Sequence, residues 1–81
     1  MEDYIVMAAM YPTMTSGKVD KFLVKIGDKV APGTAVDEII SEGYFTLLSE
    51  VSGRVKELYV MEGDYVEVDT AIIEVELAEE K

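Results

Sequence analysis

No cysteine and no histidine occur in these 81 residues. The first absence rules out a disulfide staple and thiol chemistry, and it fits a reducing, cytoplasmic setting. The second removes the commonest general base and the commonest transition-metal ligand, and with them any serine–histidine triad. Basic residues are scarce, with seven Lys and Arg against 17 Asp and Glu and a net charge of −10. That balance opposes binding to nucleic-acid phosphates, which needs clustered Lys and Arg. It also opposes anionic membrane surfaces. It favours solubility and basic protein partners. No apolar run reaches the roughly 18 residues of a membrane span, and the opening "MEDYIV" lacks the basic start of a signal peptide. No Gly-rich phosphate loop is present, and no segment sustains a helical period.

What the chain does contain is a repeat. Gly17–Ile40, "GKVDKFLVKIGDKVAPGTAVDEII", aligns without a gap on Gly53–Glu76, "GRVKELYVMEGDYVEVDTAIIEVE", at an offset of 36 (53 − 17), with nine of 24 positions identical. Each copy runs from a β-rich stretch, Val19–Ile26 or Val55–Met61, into a Gly-Asp turn at Gly27-Asp28 or Gly63-Asp64. Glycine reaches φ > 0 there at little steric cost. Val30 or Val66 begins the return, and a second strand follows near Ala35–Ile40 or Ala71–Leu77. "IIEVEL" alternates as a half-buried strand does. Pro32 falls in a loop where no ladder N–H is needed. The expectation is one all-β domain over 1–81, with a core of about 5–77, built of two similar sheets packed face to face about a pseudo-twofold axis. The closing "LAEE" and Lys81 read as the start of a linker.

Residues 41–52 join the two copies, and polar Ser41-Glu42-Gly43 interrupts apolar residues on both sides. That pattern predicts a β-hairpin whose tip projects from one end of the domain. Its counterpart by symmetry is the place where strands around Ile5–Ala9 and Ile72–Leu77 lie together.

Tyr11–Ile40, "YPTMTSGKVDKFLVKIGDKVAPGTAVDEII", resembles the first half of a lipoyl domain, and "SGRVKELYVMEGDYVEVDTAIIEVE" is similar to the second. The likeness is to the acyltransferase (E2) component of 2-oxo acid dehydrogenase complexes, with biotinyl carrier domains as relatives. It implies a barrel-sandwich hybrid of two four-stranded sheets, a non-catalytic carrier role, lipoate as the family's prosthetic group, and dehydrogenase-complex components as partners. In that family the hairpin tip bears a lysine in an Asp-Lys-Ala turn. Counted from Glu38-Ile39, Glu42 takes the aspartate position and Gly43 the lysine position. No lysine lies between Lys29 and Lys56, and the segment from the tip to Gly53 is one residue shorter than usual. The chain as written is therefore expected to carry no cofactor at this turn. The alternative is a non-carrier interaction or assembly module on the same scaffold, including a homodimer.

Tyr44 and Phe45, beside the tip, read either as partner contacts or as cross-strand packing. Met7, Met10 and Met14 with Tyr11 read as core filling or as an adaptable surface. Glu62, Asp64, Glu67 and Asp69 cluster in sequence, but their spacing matches no calcium loop. Asp28 and Asp64 are explained by Asx hydrogen bonding in turns. No catalytic residue and no metal ligand is expected.

Overall fold

The computed structural model describes residues 1–78, so Lys81 and most of the linker reading lie outside the described residues. Residues that alternate inward and outward form eight strands: β1 Glu2–Val6, β2 Ser16–Phe22, β3 Lys29–Val30, β4 Ala35–Ile40, β5 Tyr44–Leu48, β6 Gly53–Leu58, β7 Tyr65–Glu67 and β8 Ala71–Leu77. They make two four-stranded antiparallel sheets, ordered β1-β8-β6-β3 and β5-β4-β2-β7. This is the all-β barrel-sandwich hybrid. Among the described residues no helix is long and apolar enough to cross a membrane.

The repeat is written into the pairing. Adding 36 to the β2–β4 pairs Lys18↔Ile40, Val19↔Ile39, Lys21↔Glu38 and Phe22↔Asp37 gives the β6–β8 pairs Arg54↔Glu76, Val55↔Val75, Glu57↔Glu74 and Leu58↔Ile73. The core between the sheets is aliphatic, with Val19, Val36, Ile39, Ile72, Ile73 and Val75 fully buried. Met7 and Met14 are buried with them, whereas Met10 is 55% exposed and lies outside the core.

Three strands have bounds other than those expected. β2 and β6 begin earlier and stop sooner than Val19–Ile26 and Val55–Met61, because β2 gains partners at Ser16↔Glu67 and Gly17↔Val66 while the chain after Phe22 and Leu58 leaves the ladder for a turn. β1 is Glu2–Val6 rather than Ile5–Ala9. Its pairing with β8 runs from Glu2↔Glu76 to Val6↔Ala71, after which Met7 turns inward and bonds Thr70 and Asp69 through its backbone.

The two Gly-Asp turns behave as the residues dictate. Asp28 Oδ2 accepts from the Lys25 N–H at 3.0 Å, and Asp64 Oδ2 from the Met61 N–H at 2.9 Å. Gly27 and Gly63 sit at φ 96° and 97° with open space around them. Gly63→Ala meets no atom there, so its cost is backbone strain alone. It is expected to lower stability by about 1–2 kcal/mol in a urea titration.

Candidate functional site

The hairpin is built by β4 and β5, which pair from Ala35↔Leu48 to Ile40↔Tyr44 and leave a three-residue loop, Ser41-Glu42-Gly43. The Ser41 N–H donates to the Gly43 carbonyl at 2.8 Å and closes the turn. Glu42, the middle residue, takes the left-handed conformation at φ 60°; Gly43 lies at φ 158°. The loop thus holds two residues at positive φ: the glycine at its third position, where glycine costs little, and Glu42, a non-glycine residue in the left-handed region. Glu42 and Gly43 are exposed.

The loop is anchored at its base. The Ser41 hydroxyl donates to the Ser16 carbonyl at 3.0 Å. That uses its one proton, so in the 2.7 Å contact the Tyr11 hydroxyl is the donor and Ser41 Oγ the acceptor. Tyr11 packs against the core while holding the hairpin. Ser41 therefore has no free proton and no neighbouring base, and it is a structural anchor, not a nucleophile.

The two aromatic candidates separate. Phe45 packs partly buried against the core, as cross-strand packing requires. Tyr44 is 72% exposed. Across the outer face, Tyr44 is in register with Ile40, Lys18 and Tyr65. Lys18 Nζ lies 6.0 Å from the centre of the Tyr65 ring, a cation–π distance. The matching row of the other sheet, Glu2, Glu76, Arg54 and Lys29, is charged throughout. On that face Lys56 pairs with Glu2 at 3.1 Å and with Glu74 at 3.7 Å. The carboxylates Glu62, Asp64, Glu67 and Asp69 are exposed, and among the described residues no three Asp or Glu converge as a metal site.

The tip can be tested against the group that such hairpins hold. Amide attachment of lipoate or biotin requires a primary amine. Ser41, Glu42 and Gly43 supply a committed hydroxyl, a carboxylate and no side chain, so these residues do not fit the group.

One residue of consequence was not singled out from the sequence. Asp37 lies on β4, fully buried, and among the described residues neither carboxyl oxygen has a hydrogen-bond partner. Burial pushes its carboxyl up to about 7. The signal was available, because the 36-residue offset sets Asp37 opposite Ile73, at a core position.

Fold and site together define a small carrier-type scaffold with an exposed, anchored hairpin. The family model described as "Biotin-requiring enzyme", the biotinyl/lipoyl attachment family, matches residues 4–75. The chain belongs to this family, on its lipoyl E2 side. It is 36% identical over 67 residues to the dihydrolipoyllysine-residue acetyltransferase component 3 of the pyruvate dehydrogenase complex, mitochondrial, of Arabidopsis thaliana; the match covers 69% of this chain. The chain spans 12% of that relative's length.

Proposed function

We propose that this domain is a non-catalytic lipoyl-type module of a 2-oxo acid dehydrogenase assembly that carries neither lipoate nor biotin on its own hairpin. The observation behind this reading is the tip itself: Ser41-Glu42-Gly43 bears no amine, and no lysine lies between Lys29 and Lys56. Such a domain serves as an interaction or assembly module, with dehydrogenase-complex components as partners. Exposed Tyr44 and the in-register Tyr65, 72% and 76% exposed, support that reading, since tyrosine anchors interfaces without catalysis. Self-association into a homodimer is a special case, visible as a doubled mass in sedimentation equilibrium. The acidic charge argues against nucleic-acid and membrane partners. The matching registers of the two sheets support a pseudo-twofold relation between the halves. The named relative is a mitochondrial protein; our reading of a reducing, cytoplasmic setting rests on the cysteine-free composition.

Co-expression with lipoyl and biotinyl ligases, followed by intact-mass spectrometry, is expected to show no added group. A mass gain mapped to any lysine here would overturn the proposal. Glu42→Lys and Gly43→Lys, made separately, then ask whether the scaffold still presents a tip as carriers do. Register counted from Glu38 favours Gly43, and Glu42 occupies the middle of the loop. Lysine at Gly43 must adopt a φ that few L-residues take, whereas at Glu42 one L-residue replaces another. Modification of either variant shows carrier geometry and identifies the acceptor position. If both fold and stay unmodified, only the assembly role stands.

A further inference from the structure

The most unusual group in the domain is the Asp37 carboxyl. A buried carboxylate without a partner is strongly disfavoured, and the group stays neutral or finds water. Its place in the fold decides which. β4 and β5 shift register between Ala35 and Asp37, and this bulge turns two successive side chains, Val36 and Asp37, fully inward. The other sheet has the same shift, between Ile5 and Val6 against β8, and there the inward pair is Ile72 and Ile73. One bulge is therefore filled by two isoleucines and the other by a valine and an ionisable acid.

Among the described residues nothing charged compensates it. β2 sets Phe22 beside Asp37 and β5 sets Leu47. On its own strand Glu38 points to the outer face, paired with Lys21 and Thr46. Glu62 reaches the neighbourhood only to accept from the Phe22 N–H at the surface. The inward residues of the opposite sheet, Ile5, Val55, Ile73 and Val75, do not titrate. β5, which covers Asp37 through Leu47, is an edge strand bonded to β4 alone. Peeling β5, the edge strand beside Asp37, would bring water to the carboxyl.

We propose that Asp37 is a proton-operated latch on the hairpin: protonated, it lets β4–β5 close on the core, and ionised, it opens the pair at the bulge between Ala35 and Asp37. The latch sets how firmly Ser41-Glu42-Gly43 and Tyr44 are presented to a partner. It does not depend on whether a prosthetic group is carried.

Amide hydrogen exchange on the intact chain, corrected for intrinsic rates, tests this. The free carboxyl has its ordinary value of 3.8, and burial pushes the closed one up to about 7. Opening at the Ile39 and Leu47 amides is therefore expected to rise up to about tenfold per pH unit between these values and then level off, roughly a thousandfold in all. These amides should open more readily than those of Val55 and Val75 at every pH, and Asp37→Val should flatten their slope. Asp37→Asn, polar but uncharged, should flatten it too. In wild type the Asp37 carboxyl carbon resonance should titrate near 7. The latch is overturned if the hairpin amides exchange in step with those of β6 and β8, if the slope survives Asp37→Val, or if the carboxyl titrates below 5.

Discussion

Gly53→Ala should largely unfold the domain, while Gly17→Ala, at the matching position of the first half, should leave it folded. Both glycines lie in strands, and at neither is φ the issue; what matters is the atom that a Cβ meets. At Gly53 a Cβ lands on the Glu76 carbonyl oxygen and within 2.8 Å of Val75 Cγ1. Glu76 O is backbone of β8, which is paired on one side with β6 and on the other with β1. It cannot retreat without disturbing both ladders. At Gly17 the obstacles are side chains and not backbone: the Ile39 Cγ2 methyl at 2.6 Å, on a buried β-branched residue that must shift to make room, and the thioether ends Met14 Cε at 3.2 Å and Met7 Cε at 3.4 Å. Thioether arms adapt readily, and overpacking of this kind costs about 1–3 kcal/mol. A clash with the backbone of a central strand belongs with the exceptional losses of about 4 kcal/mol or more. An 81-residue domain has roughly 4–12 kcal/mol of stability in total. Urea titrations of the two variants decide the matter; equal losses would mean that β8 moves as freely as the methionines.

The same pair of glycines shows which parts of the structure were legible beforehand. The repeat, the turns at Gly27 and Gly63, and the β4 and β8 spans are local or periodic features, and the chain displays them directly. The starts of β2 and β6 depend on partners distant in sequence, such as Glu67 for Ser16 and Leu77 for Gly53, so periodicity alone placed them too late. The hairpin was visible as Ser41-Glu42-Gly43 between apolar runs. Gly43 does lie at positive φ, but Glu42 takes the left-handed conformation as well, and nothing local in the sequence marks a glutamate for it. The anchor formed by Tyr11, Ser41 and Ser16 joins residues 25 and 30 positions apart, and only the folded chain brings them together. Asp37 was hidden for another reason: acidic residues are common in this chain, and only comparison with Ile73 marks this one as misplaced.

That misplacement should make Asp37→Val strongly stabilising at pH 8 and nearly neutral at pH 4. The folded-state carboxyl titrates at about 7, above its reference value of 3.8, so the folded chain holds this proton more tightly than the unfolded chain. Stability is then unpenalised below the lower value, falls as pH rises between the two, and is constant above the higher one. Roughly three pH units at about 1.4 kcal/mol each amount to a penalty on the order of 4 kcal/mol above neutrality. Valine removes the charge and fits a strand, and Ile73 shows that the matching site accepts a β-branched side chain. One other carboxyl contributes with the opposite sign, and lower on the pH scale. Glu76 is held below the usual carboxylate range, first by its hydrogen bond from the chain's amino terminus, so its contribution is lost as pH falls. The difference between wild type and variant, taken from denaturant titrations at pH 4, 6 and 8, cancels such groups and isolates Asp37. A difference that grows from near zero at pH 4 to several kcal/mol at pH 8 is the expected result. A difference independent of pH would show that packing, not ionisation, distinguishes the two side chains.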